Sequence, residues 1–208
     1  KDENGNTLVD PWGNALYLRH DNAAGYIFKG GDAQYRDINY DGLINEYDVV
    51  QLGKPYPDFH GGFGCKLVLF KDITMRASFH YKLGHDIVNE AKMELENMHK
   101  KSNQAVSVNR RWRQEGDVTD IPRALYNLGY NYLGSSRFVE DASFLKLRFV
   151  SFAYDLPDKW LERTFIKDMN VFLTMYNLYT WTDYTGQNPE VSVATKDIRY
   201  IGKDDSKT

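Results

Sequence analysis

Residues 60–83 read HGGFGCKLVLFKDITMRASFHYKL, and the second half of that run alternates without a break. Ile73, Met75, Ala77, Phe79, Tyr81 and Leu83 hold the odd positions, while Asp72, Thr74, Arg76, Ser78, His80 and Lys82 hold the even ones. A period of two sends successive side chains to opposite sides of an extended backbone, so this strand has one apolar and one polar face. The first half alternates less cleanly: Phe63, Cys65, Leu67 and Leu69 share a face, but Val68 and Phe70 fall on the other. Joined at Lys71-Asp72, the two halves are expected to form an antiparallel hairpin with a tight turn. The fold turns on what the apolar face touches, a protein core or lipid.

Bulk composition leaves both open. The 208 residues suffice for one large domain or two small ones, and 42% of them are apolar. A net charge of −3 argues against a nucleic-acid partner. Aromatic residues reach 14%, with 15 Tyr and 4 Trp, which suits binding surfaces, β-structure or membrane-interface belts. Cys65 is the single cysteine and has no internal disulfide partner. No run approaches the roughly 20 apolar residues of a spanning helix. The mean hydropathy of −0.59 is low, but a membrane β-barrel is built from short, half-polar strands and remains compatible with it. The chain opens KDENGN without a Met or a signal peptide and closes on the polar GKDDSKT. It reads as a segment of something longer.

Residues 1–12 read as loop, and residues 13–29 as strand ends (Leu16, Leu18, then Tyr26 to Phe28) broken by a turn at 22–25. The sharpest local motif follows. In DINYDGLINEYD, residues 37–48, oxygen-bearing side chains fall at loop positions one, three, five, nine and twelve: Asp37, Asn39, Asp41, Asn45 and Asp48. Gly42 supplies the sharp turn at position six, and the Leu43 carbonyl adds a further oxygen. A hard cation such as Ca2+ takes six to eight oxygen ligands at this spacing, so a structural Ca2+ is expected. The Asp at position twelve resembles the dockerin variant of the loop. The competing reading is an Asx-rich turn that binds nothing.

Residues 53–59, GKPYPDF, end any helix begun at Asp48 and run extended into the hairpin. Residues 84–134 lack strand character, apart from a short amphipathic helix suggested by Ile87, Ala91, Leu95 and Met98. Strand character returns over 136–180 as two further strands. Leu145, Leu147 and Phe149 are placed on one face, against Lys146 and Arg148. Met169, Val171, Leu173 and Met175 likewise oppose Asn170, Phe172, Thr174 and Tyr176. A brief connection at 156–167 with about one helical turn joins the two strands, and residues 181–208 read as loop.

The connections alternate short, long, short, long. Outer-membrane barrels have short periplasmic turns and long extracellular loops in that rhythm, although a β-sandwich can also produce it. The fold class read from the chain is therefore all-β: strands of a large antiparallel transmembrane barrel with long extracellular loops, of which 84–134 is one. Four or five strands do not close a barrel, whose small end is roughly eight, so the remaining strands must come from elsewhere in the same chain or from another one.

The dispersed motifs then resemble a known family. They are Gly31-Asp32 with the 37–48 loop, G-x-P-x-P-D-F at 53–59, GHDIVN at 84–89, Arg111-Trp112, TDIPRA at 119–124 and SSRFVEDASFLKLR at 135–148. Tyr154 to Pro157, Trp160, Asn177 to Thr180, Tyr184, Gly186 and Asn188-Pro-Glu190 continue the pattern. Together they resemble the C-terminal part of SusC/RagA-type TonB-dependent outer-membrane transporters of Bacteroidota. The resemblance implies a barrel of about 22 strands. It also implies import of oligosaccharides or peptides with a SusD-like surface lipoprotein, energised by TonB through an N-terminal part and plug that nothing here matches. Family members finish with a strand ending in an aromatic residue, which this sequence does not reach by Thr208; the chain is cut, or another polypeptide completes the barrel.

Within that frame Arg76, His80, Lys82, Lys146 and Arg148 face a polar lumen, where they contact cargo or merely hydrate the wall. Cys65, Met75 and Phe79 face lipid, and Tyr81 lies near the outer interface. Trp112, Tyr126, Tyr130, Tyr132, Trp181 and Tyr184 are placed in long loops, to stack on sugars, touch the lid protein or pack on one another. The five histidines (20, 60, 80, 85 and 99) have no metal-ligand spacing, and no hydrolase or phosphate-loop motif occurs, so no enzyme is expected. Two other classes remain: a secreted dockerin-like calcium module, and a glycan-binding β-module.

Overall fold

The computed structural model describes residues 18–21, 25–162 and 164–190, together with the backbone of a short strand at Lys203–Asp204. The expected loop at 1–12, Leu16, most of the turn at 22–25 and most of the 191–208 tail lie outside the described residues. The chain divides into two compact units, one taking residues up to Leu52 with Asn89–Phe138, the other Gly53–Val88 and the chain from Val139 onward.

The first unit is mostly irregular backbone tied down by hydrogen bonds. Strand β1 (Arg19–His20) pairs in parallel with β2 (Leu43–Ile44). The returning segment bridges Arg19 through Ile27, with Phe28 N donating to Leu18 O at 3.0 Å, so the expected strand ends do meet. Helix α1 is only Glu90–Leu95, started by the Asn89 side chain accepting from Lys92 N at 2.9 Å. The longer helix expected from Ile87 to Met98 does not form. Ile87 and Val88 are β-branched and pair as a strand instead, and Met98 lies beyond the helix. A small core gathers Met98, Val108 and Ile121.

The second unit holds the sheet that residues 60–83 announce. Its strands are β3 (Phe59–Leu69), β4 (Ile73–Leu83), β5 (Asp86–Asn89), β6 (Val139–Asp141), β7 (Phe144–Asp155) and β8 (Asn170–Thr182). Four of them form an antiparallel sheet in the order β3-β4-β7-β8, each 11 to 13 residues long. The hairpin turn is longer than the expected Lys71-Asp72. Leu69 and Ile73 are the last paired residues, so Phe70, Lys71 and Asp72 make the connection, with left-handed φ values of 54° at Phe70 and 73° at Lys71. A second sheet runs β6-β5-β9, where β9 is Lys203–Asp204, so the 84–134 stretch carries one short strand and the tail another.

Residues 136–143 are not the start of a long strand. Ser136–Phe138 is a helical turn, β6 follows, and a turn in which Ser143 N donates to Asp141 Oδ1 at 2.8 Å separates β6 from β7. The one expected helical turn after β7 is α2, Asp158–Leu161. Under the small sheet Ile87, Ala142 and Tyr184 form a core.

Candidate functional site

Cross-strand pairing decides which side chains of the large sheet share a face. On one face β3 contributes Phe63, Cys65 and Leu67, opposite Phe79, Ala77 and Met75 of β4. These continue into Leu147, Val150 and Phe152 of β7 and Tyr179, Met175 and Leu173 of β8. The apolar alternation of the sequence is thus one apolar sheet face. Phe63 stacks on Phe79 at 4.9 Å, and Trp181 meets Tyr179 edge-on at 4.9 Å.

The opposite face is mixed: Val68, Phe144, Phe149, Phe172 and Tyr176 lie on it beside a cluster of basic residues. Its cross-strand pairs are His60 with Lys82, Gly62 with His80 and Lys146, Gly64 with Ser78, and Lys66 with Arg76. One carboxylate reaches this group from the loop after β8: Glu190 accepts from Lys146 Nζ at 2.7 Å. Burial raises the Glu190 pKa, but Lys146 above all, then His80 and Arg148, hold it below the usual carboxylate range. Arg76, His80, Lys82 and Lys146 therefore share the expected face. Arg148 is different in kind, being the extra residue, opposite β4, of a bulge between Leu147 and Phe149. The bulge also corrects the β7 pattern: Phe149 pairs with Ser78 and Tyr176 on the polar face, and even-numbered Val150, Phe152 and Tyr154 take over the apolar one. Lys66 and Glu190 were missed from sequence. The parity of Lys66 with Gly62 and Gly64 was readable; nothing local announces that Glu190 returns to the sheet.

In the first unit several scattered motifs meet at one node. Gly31 has φ +81°, and a Cβ there would lie inside the Trp112 indole, so Gly is required on both counts. Next to it, the Asp32 carboxylate is 1% exposed and accepts from Arg123 Nε at 2.6 Å and Nη2 at 3.0 Å. Tyr26 OH at 2.8 Å, Lys29 N at 2.9 Å and Asn131 Nδ2 at 3.2 Å complete its shell. Burial raises the Asp32 pKa, yet Arg123, the Lys29 amide and the Tyr26 hydroxyl outweigh it, and the carboxyl titrates below its ordinary value. The backbone joins in, with Arg123 N donating to Gly31 O at 2.7 Å and Trp112 N to Ile121 O at 2.9 Å. Gly31-Asp32, Trp112 and the Ile121-Pro122-Arg123 of TDIPRA are thus one structural knot that fixes the loop unit.

In the 37–48 loop the acidic side chains serve the backbone. Asp37 accepts from Tyr40 N and Gly42 N at 2.7 Å each, and Asp48 from Ile38 N at 2.8 Å and Asn45 N at 2.9 Å. Asp41 accepts from Leu43 N, and Asn45 from Tyr47 N, both at 2.8 Å. Asn39 receives the Asp41 amide at 3.1 Å, and Gly42 takes the left-handed φ of 82° that position six requires. Among the described residues no three His, Cys, Asp or Glu side chains converge as a metal site.

Most of the expected contact aromatics are packed. Trp112 covers Gly31 and is only partly exposed. Tyr130 stacks on His20 at 3.6 Å, and Tyr132 lies 4.5 Å from the His99 ring. Tyr184 is 6% exposed in the small core. Trp181 belongs to β8 and the apolar face, not to a loop, because the strand runs on to Thr182. Tyr126 alone of the six lies in open loop more than half exposed (51%), with Lys101 Nζ 5.2 Å above its ring.

No family profile matches the chain. The chain is 30% identical over 162 residues to TonB-dependent receptor P3 of Formosa agariphila and 32% identical over 162 residues to receptor P26 of that organism. Each match covers 78% of this chain but only 16% of the receptor's length. Among solved structures, the RagAB peptide importer in its "closed-closed" state superposes with a TM-score of 0.56 at 27% identity, over 65% of this chain and 15% of that one. The structure of the RagAB peptide transporter gives 0.56 at 26% identity, again over 65% and 15%. These relatives are receptors and importers, so a secreted dockerin-like or glycan-binding module is not favoured. By sequence and by fold, the chain matches the C-terminal part of a SusC/RagA-like TonB-dependent receptor.

Proposed function

We propose that this chain forms part of the wall of an outer-membrane barrel that imports nutrient oligomers in a TonB-dependent manner. The observation that supports it most is the large sheet itself. Its four strands of 11 to 13 residues suit a bilayer that tilted strands of roughly 9–11 residues cross, and one whole face is apolar. On this reading Cys65, Met75 and Leu173 face acyl chains, and Phe79, Tyr81, Tyr179 and Trp181 sit toward the outer interface. The edges β3 and β8 pair with further strands of the closed barrel, since an open edge is not tolerated in lipid. Residues 84–134 lie outside the cell, beside a SusD-like surface lipoprotein. TonB acts through the family's N-terminal part, and transport, not catalysis, is the activity.

The cargo proposed is peptide, because the structural neighbours are described as a peptide importer; oligosaccharide is the second arm of the test. Membrane fractionation checks the reading. The chain, in the receptor that carries it, should co-sediment with outer membranes and leave them only in detergent. Recovery as a folded, detergent-free monomer overturns it. A bound Ca2+ on Asp37, Asn39, Asp41, Leu43, Asn45 and Asp48 is a separate proposal, supported by the ligand spacing and the left-handed Gly42. Calorimetric titration with CaCl2 should give heat that Asp41→Ala abolishes; absence of heat in the parent leaves an Asx-turn loop without a cation.

A further inference from the structure

On the polar sheet face basic side chains stand opposite one another: His60 faces Lys82, His80 faces Lys146, and Lys66 faces Arg76. Like charges directly across a strand pair destabilise a sheet, so the Lys66–Arg76 rung, with Lys82 and Lys146 on the same face, calls for an anionic partner. Glu190 shows what that partner looks like, a carboxylate delivered from outside the sheet onto Lys146. It answers one rung only. Among the described residues no carboxylate pairs with Lys66 or Arg76, and both are exposed.

Between the Lys66–Arg76 and His60–Lys82 rungs the β3 positions on this face are Gly62 and Gly64. A Cβ at Gly62 would meet Phe79 O at 2.9 Å, and one at Gly64 would meet Ala77 O at 2.8 Å, so side chains are excluded by the sheet itself. The result is a strip of bare backbone flanked by cations. An extended peptide laid along such a strip presents side chains toward it every second residue, about 6.7 Å apart, which is the spacing of successive rungs. A pyranose chain does not share that repeat.

We propose that the Lys66–Arg76 rung and the glycine strip beside it bind carboxylate side chains of an extended peptide, so that the barrel prefers acidic peptide cargo. The inference rests on the import reading above. Its test uses the full-length receptor in detergent. An Asp/Glu-bearing hexapeptide should bind at least about tenfold tighter than its Asn/Gln twin, as expected for charge-assisted hydrogen bonds. The preference should weaken with added salt. In the double variant Lys66→Gln/Arg76→Gln it should vanish, whereas the charge-retaining Lys66→Arg/Arg76→Lys keeps it.

No preference in the parent, or a preference that survives the Gln variant, overturns the proposal. So does a lowered Tm of the Gln variant with equal weakening of both peptides, which would mean that the cations pair with the receptor's own carboxylates. Tighter binding of a uronate oligosaccharide than of the acidic peptide overturns the peptide assignment. Uptake of the Asn/Gln twin by cells with and without TonB tests the import reading independently of charge, so the two failures are distinguishable.

Discussion

Arg123 and Asp32 show how a single side chain holds a loop unit together. Asp32 is buried and ionised, and Arg123 is the charge that permits this. Removing one partner of a buried pair leaves the other uncompensated, so Arg123→Ala should cost about 3 kcal/mol in a denaturant titration of the receptor. The pH dependence follows from the depressed carboxyl. Because the folded chain favours the ionised form, the pair's contribution is complete above the ordinary carboxylate range and is lost as pH falls through the depressed pKa. The stability gap between parent and Arg123→Ala should therefore narrow as the medium is acidified; a gap that stays constant would rule the pair out as its source. Tyr35, whose phenol burial pushes up to about 12, stays neutral throughout and donates to Tyr130 O at 2.8 Å. None of these partnerships was readable as a contact in the sequence. Gly31, Asp32 and Arg123 stood out only as members of a dispersed pattern, and Trp112 besides that only as a candidate contact aromatic, since 91 residues separate Asp32 from Arg123.

At the scale of the element, the strand β4 is the most legible part of the chain, because period-two alternation is a direct image of the pleat. Its face assignment gives a paired prediction. Met75→Lys places a charge on the apolar face and should destabilise the barrel by about 2–4 kcal/mol if Met75 lies near the bilayer midplane. Thr74→Lys, one residue away on the polar face, should be tolerated. Equal unfolding midpoints in urea for the two variants would remove lipid from the apolar face. The β7 strand was less legible for a definite reason. A bulge at Arg148 shifts parity midway, so a strict alternation read through it places Phe149 on the wrong face. The α1 region failed for another: Ile87 and Met98 have helical spacing, but Asn89 caps a helix that begins only after the strand pairing of Ile87 and Val88 is complete.

At the scale of the whole chain, the sheet was legible and the loop unit was not, because sheets are written in local periodicity and loops in long-range hydrogen bonds. The loop unit is also discontinuous, assembled from residues on either side of the hairpin and β5. The hairpin closes over three residues, whereas the Asp32–Arg123 knot must close a loop of about ninety. Loop-closure entropy grows with that separation and contacts of long sequence range form slowly, so time order is built into the arrangement. In refolding followed by pulsed hydrogen exchange, the amides of Ile73–Leu83 should gain protection before those of Trp112 and Arg123. The reverse order would mean that the knot nucleates the chain instead of closing it. Synthesised from its N-terminus, the chain must carry Asp32 without its arginine until the hairpin and the next forty residues have been made, so the Asp32 carboxylate can be buried only late.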